Sequence, residues 1–145
     1  MNAYVDSSVV LRIVFGEPNG LAGWADIDQA VASELIRVEC LRTLDRARIR
    51  DRLDDRTVAE RRGALLEAID AIALVAIDRQ VLERAAEPFP VSLTTLDALH
   101  LASALAVRDR FQALTFATHE EHLGLAAAAM GFAVQGVTPQ GSSGP

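Results

Sequence analysis

The sequence predicts an α/β protein, a three-layer α/β/α domain with a mostly parallel central sheet. Three observations carry this reading. Short β-branched or apolar runs alternate with longer helical patterns along the chain. Those runs are apolar on both faces, as strands must be when helices cover a sheet on both sides. At 145 residues the chain fits one domain, long enough to bury ~70% of the surface its unfolded form exposes.

In order, residues 3–5 read as a strand and 7–15 as a helix capped by Ser7 or Ser8. A second helix is expected over 19–25 and a strand over 30–32. Ser33 then stands as the cap of a helix over 34–50, which is followed by a helix over 56–69. Residues 73–76 read as a strand, 79–86 as a helix, and 95–108 as a helix opened by Thr94 or Thr95. The pattern closes with a strand over 113–116, a helix over 120–130 behind Thr118, and a last strand over 132–135. Gly131 stands where a C′ glycine ends a helix. Residues 1–137 form one domain by this reading, and 138–145, Thr-Pro-Gln-Gly-Ser-Ser-Gly-Pro, have the composition of a flexible tail.

Composition narrows the function. Half the residues are apolar and 23% are charged, the balance of a packed globular protein. The single Cys40 excludes an intramolecular disulfide and a cysteine-built zinc site, and points to a reducing compartment. The longest apolar run, Ala71 to Ile77 between Asp70 and Asp78, is too short to span a bilayer, so a cytoplasmic protein with no membrane partner is expected. A net charge of −6 argues against unaided coating of nucleic acid. The average hides an asymmetry: residues 42–62 hold eight Arg against five acids, a local +3 that leaves −9 elsewhere. That stretch reads either as solvated helix faces laced with ion pairs or as a surface for a polyanion.

Four acids stand in unusual company. Asp6 closes the first strand at its carboxyl end, where open parallel sheets place their ligand crevice; its ordinary role would be to cap the next helix. Glu39 interrupts an apolar helical stretch, Leu35-Ile36-x-Val38-Glu39-Cys40-Leu41, and in the simplest account only marks the helix edge. Asp97 and Glu120 sit in first helical turns, behind capping-box patterns that begin at Thr94 and Thr118. A parallel sheet would bring Asp6, Asp97 and Glu120 to one edge, where carboxylates repel one another unless a cation lies between them. Oxygen ligands without cysteine suit Mg²⁺, with Mn²⁺ as the alternative.

The residues that carry this pattern also carry a resemblance. Tyr4-Val5-Asp6-Ser7-Ser8, then Ser33-x-x-x-x-Val38-Glu39, then Leu96-Asp97-Ala98-Leu99-His100-Leu101-Ala102-Ser103-Ala104, and Ala117-Thr118-His119-Glu120-Glu121-His122-Leu123 leading to Met130-Gly131-Phe132, together resemble the PIN-domain family, specifically VapC-type toxins of bacterial toxin–antitoxin pairs. The resemblance spans nearly residues 2–137. It implies a metal-dependent endoribonuclease, with RNA as substrate, a VapB-type antitoxin as partner, and a homodimer. It also implies that Asp6, Glu39 and Asp97 are acidic site positions, with Ser7 and Thr118 as supporting hydroxyls. The fourth position departs from the family pattern, which has Asp where this chain has Glu120, and Glu121 is an alternative occupant.

Rival readings fare less well. His119-x-x-His122 lacks the His-Glu-x-x-His arrangement of zinc hydrolases. His100 reads as a hydrogen-bonding partner or packed residue, and Tyr4 and Trp24 as core. All 14 basic residues are Arg, which disfavours a phospho-acceptor receiver or a dehalogenase-like phosphatase, whose chemistry uses Lys. No phosphate-binding Gly-x-x-x-x-Gly-Lys loop or Gly-x-Gly-x-x-Gly motif is present. The alternative from another class is a non-catalytic PIN-like or receiver-like module whose acidic pocket holds a basic peptide.

Overall fold

The computed structural model describes residues 1–137; the tail expected at 138–145 lies outside the described residues. Five strands form one all-parallel sheet: β1 (Asn2–Val5), β2 (Gln29–Ser33), β3 (Ala73–Val75), β4 (Thr115–Ala117) and β5 (Val134–Gln135). Their spatial order is β3-β2-β1-β4-β5. The helices are α1 (Ser7–Val14), α2 (Leu35–Arg50), α3 (Asp55–Asp70), α4 (Arg79–Ala86), α5 (Thr95–Val107) and α6 (Glu121–Ala129). No helix among the described residues is long and apolar enough to cross a membrane.

Strand periodicity explains why there are two cores. Successive strand side chains point to opposite faces, so Ala3 and Val5 of β1 join Ala32 of β2 and Ala117 of β4 on one side. There they meet Val9, Val10, Ile36, Cys40, Leu44, Leu65 and Ile69 from α1, α2 and α3. Tyr4, Val31 and Phe116 face the other side, against Leu101, Ala104, Leu123 and Ala126 from α5 and α6. Tyr4 and Phe116 are register partners on adjacent strands and stack at 5.1 Å between ring centroids. Trp24, expected in the core, packs partly buried against the first cluster.

The expected helix over 19–25 is reduced to a single 3₁₀ turn, Trp24–Asp26. Asn19 has φ 62°, a left-handed conformation that a right-handed helix cannot contain. The strand expected over 113–116 is shifted to Thr115–Ala117 for a similar reason, since Ala113 has φ 49°. The last strand shortens to Val134–Gln135. Gly131 does take a positive φ of 92° just after the α6 cap, as a C′ glycine should.

Three expected caps are replaced and one is kept. Asp6, not Ser7 or Ser8, caps α1 by accepting from the Val9 amide. Glu34 precedes α2 without a side-chain cap, while the Ser33 hydroxyl accepts from the Leu35 amide. Glu120 occupies the cap position of α6, and the Thr118 hydroxyl instead accepts from the Glu120 amide and donates to Asp6. Thr94 caps α5 through the Asp97 amide, as expected.

Candidate active site

The chain leaves β1 toward β2 on one side, and only after β3 does it return to the other side of β1 to form β4. Ligand crevices in open parallel sheets lie outside the carboxyl ends of the strands at such a reversal. Asp6 follows β1 there. Glu39 lies on the second turn of α2, which follows β2; Asp97 lies in the first turn of α5; Glu120 follows β4. All four line one cleft of about 580 Å³, together with Ser7, Ser8, His100, Arg42 and Arg46. Glu121 is not among the residues lining it, so of the two candidates for the fourth acid, Glu120 faces the cleft.

Each inner carboxylate is held by donors from distant parts of the chain. Asp6 is 2% exposed. Its Oδ1 accepts from the Ser8 hydroxyl at 2.5 Å and the Val9 amide at 3.3 Å, and its Oδ2 accepts from the Thr118 hydroxyl at 2.5 Å. The Thr118 oxygen in turn accepts from the Glu120 amide, and the Ser8 oxygen from the His119 amide. One residue thereby caps a helix and ties β1 to the turn after β4.

Glu39 anchors a second network. Its Oε2 accepts from the Ser7 hydroxyl at 3.2 Å, and its Oε1 from Nε2–H of His100 at 2.6 Å. His100 Nδ1 is hydrogen-bonded to the Tyr4 hydroxyl at 2.8 Å, and that oxygen accepts from the Ser33 amide at 3.1 Å. Glu39 is therefore not merely a helix-edge residue turned to solvent. His100 is both packed, at 1% exposure, and hydrogen-bonded.

The electrostatics follow from burial and from the gathering of like charge. Burial and the Asp6 and Glu39 charges raise the Asp97 pKa, against a lowering hydrogen bond from Thr94. Glu120 is likewise raised by burial and by Asp6 and Asp97. Burial opposes protonation of His100, but the hydrogen bond to Glu39 and the surrounding acids outweigh it and raise its pKa. Burial, with a smaller effect of Glu39 and Asp6, pushes the Cys40 thiol up to about 12; this is a core cysteine, not a nucleophile.

The donor set fits a hard divalent cation in its chemistry: four carboxylates from four different elements, with hydroxyl oxygens beside them and no thiolate. It is not a closed cage. Among the described residues, no three His, Cys, Asp or Glu side chains are gathered so as to hold one ion. The physical reason is that Asp6 and Glu39 turn their oxygens to hydroxyls and to His100 of the protein itself. The expected convergence is thus onto a common cleft and not into a ready-made cluster. His119 does not pair with His122 in a zinc site either: its Nδ1 hydrogen-bonds the Gly136 carbonyl at 2.8 Å, in a separate cavity beside Gly20 and Gly136.

Sequence reasoning passed over Ser8 as an Asp6 partner and Tyr4 as the anchor of His100. A signal existed for Tyr4, because a phenol in an otherwise apolar strand must find a partner for its hydroxyl. Nothing in the local sequence separated Ser8 from Ser7.

The PIN domain family model matches residues 3–119, a span that includes Asp6, Glu39, Asp97 and Thr118 and stops one residue before Glu120. The chain is also similar to Ribonuclease VapC46 of Mycobacterium tuberculosis, 33% identical over 104 residues, which cover 70% of this chain and 72% of that protein.

Proposed function

The chain belongs to the PIN-domain family, as a VapC-type member, and from that premise we propose that it is a divalent-metal-dependent endoribonuclease, the toxin of a VapBC-type toxin–antitoxin pair. The observation that carries this reading is the meeting of Asp6, Glu39, Asp97 and Glu120 on one cleft at the carboxyl edge of the sheet. These four residues would hold Mg²⁺ or Mn²⁺ once their side chains, which line the cleft without yet gathering on one point, close around it. Bound there, the cation would supply Lewis-acid chemistry: a water of lowered pKa, a polarised phosphoryl group and a stabilised leaving oxygen. It also reverses the local sign of charge, so that an acidic protein can accept a polyanion.

The chain's own residues prepare that chemistry. Thr118 and Ser8 fix both oxygens of Asp6, and Ser7 and His100 fix those of Glu39. Those donors set the starting positions of both carboxylates, from which a cation would draw their free lone pairs toward a shared point. Glu120, more exposed at the cleft mouth, completes the set from the side of β4.

The test is incubation of purified protein with RNA in the presence and absence of Mg²⁺ or Mn²⁺. Internal cleavage that appears with the cation and stops with a chelator is expected. A protein that binds RNA with the cation and leaves it intact would instead be the non-catalytic module.

The same family membership supports a cytoplasmic homodimer bound by a VapB-type antitoxin. Small-angle scattering of the purified toxin is expected to give twice the mass of the chain. A monomer at every accessible concentration would overturn the dimer without touching the cleft.

A further inference from the structure

Of the eight arginines between residues 42 and 62, only Arg42 and Arg46 line the acidic cleft. We propose that these two hold successive phosphates of a single-stranded RNA, so that the substrate backbone runs along α2, away from the acids. The proposal rests on the ribonuclease reading of the cleft and adds to it the residues that grip the substrate and the direction in which the strand lies.

Helical spacing supplies the first argument. Glu39, Arg42 and Arg46 are at i, i+3 and i+7, one stripe of the helix. The two guanidinium-bearing positions are one turn apart, about 6 Å along the axis, of the order of the step between neighbouring phosphates on a strand. One end of the stripe is the carboxylate site and the other is cationic.

The present partners of these arginines supply the second. Arg42 pairs with Asp45 at 3.2 Å on an exposed surface, but Asp45 also accepts two hydrogen bonds from Arg48, at 2.9 and 3.3 Å. Arg42 can leave without stranding that carboxylate. Arg46 donates to the neutral Thr43 hydroxyl at 3.0 Å and forms no ion pair among the described residues. Neither arginine is paired with any of the four cleft acids, so their charge is not consumed in offsetting the site. Outside the cleft, Arg50 pairs with Asp51, Arg56 with Glu60, and Arg61 lies over the Phe15 ring.

The cleft rim supplies the third. Val38 and Leu96, 59% and 47% exposed, come from α2 and α5 and both line the cleft. Apolar side chains beside a phosphate track suit an unstacked base, which single strands present and duplexes do not.

The experiment measures binding of a short labelled single-stranded RNA by fluorescence anisotropy, with Ca²⁺ in place of Mg²⁺, alongside cleavage with Mg²⁺. Arg42→Gln and Arg46→Gln are each expected to weaken binding roughly tenfold, and to lower the slope of log affinity against log salt by about 0.7. At saturating RNA, cleavage should stay within about twofold of wild type. Arg→Lys at either position should restore the salt slope but only part of the affinity, since a point charge replaces a fork. Unchanged affinity and salt slope in the double variant would overturn the phosphate track while Mg²⁺-dependent cleavage keeps the ribonuclease reading intact. Arginine-dependent binding by a wild type that never cleaves would sink the ribonuclease reading alone. Loss of affinity for an acidic peptide, with RNA binding unaffected, would assign the arginines to a protein partner and also overturn the proposal.

Discussion

Replacing Asp6 with Asn is expected to lower metal-dependent RNA cleavage by on the order of 10³-fold or more while leaving the fold in place. Asn is isosteric with Asp, and its carbonyl oxygen can still accept from the Val9 amide and the Ser8 hydroxyl, which preserves the α1 cap. On the other side the new amide meets the Thr118 oxygen, where a hydroxyl now donates to Asp6; one hydrogen bond must be rearranged, a cost of about 1 kcal/mol. Against this, one negative charge is removed from beside Asp97 and Glu120, whose pKa values it helps to raise. Stability therefore changes little, and what is lost is the carboxylate nearest the centre of the sheet edge. Single-turnover cleavage of labelled RNA, with an unfolding midpoint measured on the same sample, separates the two effects. Undiminished cleavage by the variant would remove Asp6 from the mechanism.

His100→Ala is expected to be costly to the fold itself, at about 3 kcal/mol, or roughly 10 °C in the unfolding midpoint. The ring is 1% exposed and spans two buried or part-buried partners, the Tyr4 hydroxyl and Glu39. Its removal leaves a cavity between α5 and β1 and strips the Tyr4 hydroxyl of its ring-nitrogen partner in the core. Tyr4→Phe should cost less, because it removes one hydroxyl and keeps the ring stack on Phe116. A double-mutant cycle would show the two changes to be strongly non-additive, since each breaks the same bond. The functional consequence runs through Glu39: without its Nε2–H donor, only Ser7 orients it, and the cation concentration needed for half-maximal cleavage should rise 10- to 100-fold. A His100→Ala protein as stable as wild type would mean that the Tyr4–His100–Glu39 chain is not the brace described here.

Much of this architecture is legible without coordinates. The strands expected at 3–5, 30–32 and 73–76, and the helices after them, follow from runs of apolar residues whose period is local. Exceptions arose where one backbone angle overrides composition, as at Asn19 and Ala113. Asp6, Glu39 and Asp97 were legible for the same reason, because a charge beside apolar neighbours is visible in the pattern, whereas Glu120, between His119 and Glu121, stood out only by its place at a helix start. The caps were less so. Asp6, Ser7 and Ser8 all suit the start of α1, and what selects Asp6 is that Ser7 is drawn to Glu39 and Ser8 to Asp6 itself.

The sequence by itself determined the α/β alternation, the family, and which acids were worth watching, because each depends on residues within a few positions of one another. Only the tertiary structure decided that Glu120 and not Glu121 lines the cleft, since neighbouring positions on a helix start point about 100° apart. It alone joined Tyr4 to His100 across 96 residues and Asp6 to Thr118 across 112, and singled out Arg42 and Arg46 from eight arginines of equal charge. Such pairings are set by strand register and by the rotation of each helix against the sheet, and these depend on how the whole core packs.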